Sequence, residues 1–155
     1  MKYESYDAVR IADDLSSLDF ISTGKHGAIL KRIVFEPMEM ANVYFLAFGN
    51  IISDSKIDDY SVSDNGDRNK ILATVAEAVD SYTKRYPSRI LYFTGSTKER
   101  TRLYRMAIGL NLEELSLTYE IYGRVDNDLV PFYKNLDASA FLIKRKSFDY
   151  PFTTI

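Results

Sequence analysis

The chain has no cysteine, no tryptophan and a single histidine, His26. Without cysteine there is no disulfide, no thiol nucleophile and no thiolate metal site. One histidine cannot build the His-rich ligand sets that hold zinc. No apolar run approaches the roughly 18 residues of a membrane span, and Met1-Lys2-Tyr3-Glu4-Ser5-Tyr6-Asp7 carries no apolar signal region. Internal repeats, low-complexity tracts and dividing linkers are missing as well. An excess of either charge is also missing: the net charge of −2 argues against non-specific coating of nucleic acid. These absences leave a soluble cytoplasmic protein as the expectation, with no membrane association and no metal.

What is present is the material of a core. Apolar residues make up 46% of the 155 and charged residues 27%, with 12 Tyr and 9 Phe. Such a chain is globular, most simply a single domain over 1–155, and buries roughly 70% of its unfolded surface. An irregular segment is expected over 1–18, with a short helix near Asp13–Leu18, and an aromatic tail over 147–155. In that tail Phe148, Tyr150 and Phe152 suit packing on the domain or on a partner.

The first half reads as an antiparallel meander. Asp19–Thr23 is a short strand, Lys25-His26-Gly27 a turn with His26 exposed, and Ala28–Glu36 an alternating strand ended by Pro37. Asn42–Gly49 is apolar at successive positions, which suggests a central strand covered on both faces. A further strand follows around Lys56–Val62. From Arg68 to Tyr86 the apolar residues Ile71, Leu72, Val75, Val79 and Tyr82 recur at helical spacing, and Pro87 closes the helix. Arg89–Thr94 is a strand, and Ser96 with Glu99 forms a capping box for a second helix. Thr118–Val125, an Asp126-Asn127 turn, Asp128–Tyr133 and Ala140–Arg145 complete the order. The fold class is α+β: a mainly antiparallel twisted sheet with two principal helices, in the order β-meander–α–β–α–β.

The most informative stretch runs from Leu91 to Arg105. A strand leads into Gly95-Ser96-Thr97, and a helix carrying Arg100, Arg102 and Arg105 begins at once. Free amides, hydroxyls and guanidinium groups converge where a helix starts, which is a seat for phosphate or carboxylate. A plain capped helix, with Arg105 paired to a carboxylate, accounts equally for the same residues. Asn65-Gly66-Asp67 before the first helix offers a second such start, with Lys70 one turn on; N-capping and turn chemistry explain it too. If the two starts adjoin, Asp67 could salt-bridge Arg100 or Arg102 and occupy the anion seat from within. The acidic residues Asp54, Asp58, Asp59, Asp64 and Asp67 lack an organised metal-binding loop and read as a solvated edge. Lys144-Arg145-Lys146, with Lys98, Arg102 and Arg105, forms a weak basic patch for RNA or an acidic protein.

The helix text Arg100-Thr101-Arg102-Leu103-Tyr104-Arg105-Met106-Ala107-Ile108-Gly109-Leu110, set in this element order, resembles the penultimate helix of the GNAT acyltransferase superfamily. That resemblance implies acyl-CoA as cofactor, Tyr104 as the catalytic general acid, and a pyrophosphate loop at Asn65-Gly66-Asp67-Arg68-Asn69-Lys70. The superfamily's Arg/Gln-x-x-Gly-x-Gly/Ala pattern is not found there, and Gly66 stands alone. A second resemblance spans about Phe20 to Lys146. Asn65-Gly66-Asp67 with Lys70–Val75, Tyr86-Pro87, Gly95-Ser96-Thr97 and Arg100–Met106 is similar to an uncharacterised family of small bacterial proteins of the Bacteroidota type, which brings no assigned activity.

Three functions stay open. The leading one is action through a protein partner, for instance in a toxin–antitoxin or defence locus. The second is a divergent acyltransferase using acyl-CoA. The third is a nucleotide- or RNA-binding module. For the last two, the ligand-binding residues are Gly95, Ser96, Thr97, Arg100, Arg102, Arg105, Asn65, Gly66 and Lys70.

Overall fold

Residues Gly27–Pro37 form an eleven-residue strand that pairs antiparallel with a neighbour on each side, and the rest of the sheet is laid on it. In the computed structural model, which describes residues 3–58 and 65–147, the elements run as follows. The meander comprises β1 (Arg10–Ile11), β2 (Ser17–Gly24), β3 (Gly27–Pro37), β4 (Val43–Ser53) and β5 (Lys56–Asp58). Then come α1 (Arg68–Arg85), β6 (Ile90–Phe93), α2 (Lys98–Leu110) and the short α3 (Leu112–Leu115). The chain closes with β7 (Tyr119–Val125), β8 (Asp128–Pro131) and β9 (Ala140–Arg145).

The strands form one sheet in the order β1-β2-β3-β4-β6-β9-β7-β8, with β5 paired to β4. All pairings are antiparallel except β4 with β6. A parallel pair needs a long crossover, and α1 lies within it. The fold is therefore α+β with a mostly antiparallel sheet.

Register decides which residues share a face. Phe20, Lys31 and Asn50 are cross-strand neighbours, as are Ile33 with Phe48 and Phe35 with Leu46. Leu91, Ile143 and Ile121 continue this face across β6, β9 and β7. The helices pack here: Phe35 stacks on Tyr82 of α1 at 3.9 Å between ring centroids, and Tyr104 of α2 meets Phe48 and Phe93, each at 6.0 Å. Burial of these rings and of Phe20, Leu91 and Phe141 makes the core. Each such side chain contributes about 1.5–3 kcal/mol by leaving water.

Three expectations are corrected. Residues 13–18 form no helix; Ser16 N–H donates to Asp14 Oδ1 at 3.0 Å, Leu15 takes φ +61°, and β2 begins at Ser17. An aspartate that captures the amide two residues on makes a turn instead. The expected irregular stretch also contains β1, paired to β2 through Arg10 and Asp19. Nor is β4 covered on both sides: among the described residues the helices lie on one face only. On the other face Phe45 and Tyr92 shield each other, with centroids 6.0 Å apart, and both stay half-buried. The third correction concerns α2. Its N-cap is Thr97, whose Oγ1 accepts from Arg100 N–H at 3.2 Å. Glu99 is then the second helical residue, one short of the position a capping box requires. The expected strand around Lys56–Val62 is described as far as Asp58, and Phe148, Tyr150 and Phe152 lie outside the described residues.

Candidate functional site

The site begins with a lysine on the covered face of β3. Lys31 sits between Phe20 of β2 and Asn50 of β4 and retains 6% of its exposure. Its Nζ donates to Asn50 Oδ1 at 2.7 Å. Burial pushes this ammonium below the ordinary lysine range; nearby Asp67 opposes that shift and nearby Arg100 adds to it.

Two helix starts flank Lys31. Gly66, at φ +83°, turns the chain into α1 through a conformation that residues with a Cβ disfavour. Asp67 occupies the N-cap position, yet its side chain makes no capping hydrogen bond. Its Oδ2 accepts instead from the hydroxyls of Tyr6 and Ser22, both at 2.5 Å. Tyr6 is itself docked: its backbone N–H donates to Thr74 Oγ1 at 2.8 Å, its ring stacks on Phe20, and Lys70 Nζ lies 4.4 Å above that ring. Asp67 thus fastens the N-terminal segment and β2 to α1, and leaves the first-turn amides without a side-chain cap.

At the second start, a Cβ on Gly95 would come within 2.3 Å of Thr101 N, so only glycine allows the strand to meet the helix this closely. Gly95 N–H donates to Thr101 Oγ1 at 3.1 Å. These bonds present Thr97 and Arg100 to the space above Lys31.

That space is an open cleft of about 1070 Å³. Among the described residues, Lys31, Arg68, Lys70 and Arg100 line it as cations and Glu4, Asp67 and Glu99 as anions. Of the residues expected at a site, Asn65, Gly66, Lys70, Thr97, Arg100 and Tyr104 line this one cleft. Gly95, Ser96, Arg102 and Arg105 do not. Arg105 points instead to Asp137, 2.6 Å from Nη1 to Oδ1, and Arg102 is exposed on α2. Asn65 works inward: its amide donates to Ser22 Oγ and Gly27 O and accepts from His26 N–H, pinning the β2–β3 hairpin. Asp67 pairs with neither Arg100 nor Arg102, since its carboxylate serves Tyr6 and Ser22. Nor is Lys144-Arg145-Lys146 a simple basic strip: Arg145 is ion-paired to Asp80 of α1. Despite the upward push of burial, hydrogen bonds from Lys84 and Arg145 hold the Asp80 carboxyl below the usual range.

Lys31, Tyr6 and Ser22 are the site residues that sequence reasoning missed. For Lys31 a signal existed. Lys31-Arg32 are adjacent on a strand, so one must point to each face, and one charge must face the helices. The cleft thus brings cationic side chains and two helix starts together above a buried lysine. Among the described residues no group of three metal-ligating side chains is present.

Sheet, covering helices and a cleft between two helix starts define an α+β protein with a mostly antiparallel sheet. The chain belongs to a family of unknown function, DUF6934, whose model matches residues 2–146. No curated protein and no solved structure matches it. Among the described residues no helix is long and apolar enough to cross a membrane.

Proposed function

We propose that this protein binds a phosphate-bearing small molecule in the cleft between the starts of α1 and α2. The observation that carries the proposal is the make-up of the cleft: Arg68, Lys70 and Arg100 line it with Gly66 and Thr97 of the two helix starts, above the buried Lys31. The uncapped first turn of α1 and the nearby Arg68 and Lys70 add attraction of the same sign. Nucleotides and acyl-CoA both carry such phosphates, so each is a specific form of this reading. In the acyl-CoA form Tyr104, at the cleft edge, is the general acid.

Thermal unfolding and calorimetric titration with inorganic phosphate, pyrophosphate, ATP and acetyl-CoA test it. A ligand at 100 times its Kd stabilises the folded state by about 2.7 kcal/mol. At least one of these anions is expected to stabilise the wild type, and Lys31→Met to abolish the effect. If none does, and the chain instead forms a stable complex with another protein, the partner-based reading, including a toxin–antitoxin or defence role, replaces this one.

A further inference from the structure

At the end of α1 away from the cleft, three tyrosines converge. Tyr82 is 1% exposed and stacks on Phe35; Tyr86 follows at the helix end, its centroid 5.0 Å from that of Tyr82, and Tyr44 of β4 meets Tyr82 edge-on at 6.2 Å. The Tyr86 hydroxyl donates to Asp14 O at 2.9 Å, which ties these rings to the loop before β2. Arg89 lies over them. Its guanidinium carbon is 3.7 Å from the Tyr86 centroid and 4.2 Å from that of Tyr44, and Nη1 donates to the Tyr82 hydroxyl at 2.8 Å. Three contacts of this kind hold a planar guanidinium in one orientation.

That orientation leaves the edge made by Nε and Nη2. Among the described residues neither nitrogen has a protein acceptor, and no buried side-chain nitrogen lacks one, so this edge faces water. In Arg32 the same edge holds the Asp19 carboxylate, Nε at 2.7 Å and Nη2 at 3.0 Å. Arg89 presents outward the fork that Arg32 uses inward. A second guanidinium, Arg85, stands 5.5 Å from the same Tyr86 ring and donates to Asp13 O. Asp14 receives its hydrogen bonds from Ser16, with Arg85 a minor influence on it. Among the described residues neither Arg85 nor Arg89 makes an ion pair.

Such a fork fits carboxylate and phosphate alike. Two guanidinium groups are too few to hold nucleic acid, whose binding rests on neutralising many phosphates. A small anion on one exposed arginine contributes almost nothing. A carboxylate carried by a protein segment meets neither objection, because the rest of the segment covers surface as well. The residue types at hand are those that interfaces favour: tyrosine, arginine, and Met38 and Met40 in the β3–β4 turn, 40% and 73% exposed. That turn adjoins Arg89, since Asn42 O accepts from Ile90 N–H at 2.7 Å. Glu36 and Glu39 beside it are exposed, so a partner's apolar side chains, not its acids, suit the turn.

We infer that this end of the molecule is a docking surface for an acidic segment of a partner protein, with an Asp or Glu carboxylate of the partner seated bidentately on Nε and Nη2 of Arg89. The surface is separate from the cleft and does not rest on the cleft reading.

The test is titration of the full chain with the blocked peptide acetyl-Leu-Glu-Leu-Glu-Leu-amide, followed by NMR at the Arg89 Nε–H. Its Gln analogue and a short oligothymidylate are the comparisons. The acidic peptide is expected to shift the Arg89 resonance and to bind at least tenfold more tightly than the Gln analogue. Arg89→Lys keeps the charge but loses the fork, and is expected to remove that advantage; Arg105→Ala, on α2, is expected to leave it intact. If Arg89→Lys does not fold, the wild-type resonance decides alone. No shift at Arg89, or equal shifts with both peptides, overturns the inference. An advantage that survives Arg89→Lys overturns it too, since bulk charge would then suffice. Tighter binding of the oligothymidylate at the same resonance makes the surface a nucleic-acid site and likewise overturns the protein partner.

Discussion

Lys31 and Arg32 are neighbours on one strand, both are buried, and they have opposite fates. Arg32 points to the helix-free face and meets its cross-strand partner Asp19 bidentately, Nε to Oδ1 at 2.7 Å and Nη2 to Oδ2 at 3.0 Å. A third donor, Nη1, reaches Asp54 O. Hydrogen bonds to Asp19 raise the Arg32 pKa further, against the opposing effect of burial. Lys31, on the other face, is driven down by burial. One charge is held by a carboxylate and a carbonyl, the other donates to the neutral amide oxygen of Asn50. Burial of a charge is therefore compatible with opposite pKa shifts, and the partners on each face decide the direction.

The comparison breaks most visibly on the Arg32 side. Asp19→Ala strands a buried guanidinium, and loss of one partner of a buried pair costs about 3–5 kcal/mol. The expected outcome is a fall in Tm of roughly 10 °C, with part of the loss recovered in Asp19→Ala/Arg32→Met. Calorimetry of the three variants checks this, and a fall of a degree or two would show that Arg32 is no better compensated than Lys31.

Lys31→Met is expected to act in the other direction. Because the folded pKa lies below the unfolded one, the unfolded chain binds more protons between the two values, and stability rises with pH there. The penalty of burying Lys31 is complete below its folded pKa and vanishes above its unfolded pKa. Lys31→Met is thus expected to be at least as stable as the wild type at neutral pH, with the gap closing as pH rises through the alkaline range. Urea unfolding at several pH values measures that gap. Anion binding by the wild type is expected to weaken over the same rise in pH, earlier than for a surface lysine.

Most of the frame was legible in the chain, and its gaps have physical causes. Helix α1 and strand β9 emerge within a residue of their expected bounds, because long periodic runs and a closing Pro87 leave little freedom. The cap of α2 falls one residue late, because Ser96 and Thr97 are chemically equivalent caps and only the helix phase distinguishes them. Tyr6 was invisible for a different reason. Its role depends on meeting Asp67, 61 residues away, across a fold that no local pattern describes. Arg105 was open to two roles, ligand contact or a carboxylate partner, and Asp137 supplies the second, while α2's docking through Tyr104 leaves Arg100 on the cleft.

The Asp67 anchor sharpens the comparison from the cleft side. Tyr6→Phe and Ser22→Ala each remove one hydroxyl from the same carboxylate oxygen, and a hydrogen bond to a charged group contributes about 1.5–3 kcal/mol. Both variants are expected to lose stability in that range and to loosen the N-terminal segment, seen as faster amide exchange at Tyr6. Their effect on phosphate binding is expected to be smaller than that of Lys31→Met, because the positive groups stay where they are.

The smallest effect is expected at Arg105. Its partner Asp137 is 98% exposed on the side chain, so water and salt screen the pair, and such bridges are worth about 0–1 kcal/mol. Arg105→Ala should therefore change stability by less than 1 kcal/mol and leave phosphate affinity untouched, whereas Arg100→Ala, from the same helix, should weaken it at least tenfold. Titrations of the two variants side by side decide whether the helix binds through its position over the cleft or through its bulk charge. Equal losses from both would mean that the anion is held by a diffuse field, and that the burial of Lys31 has no part in selecting it.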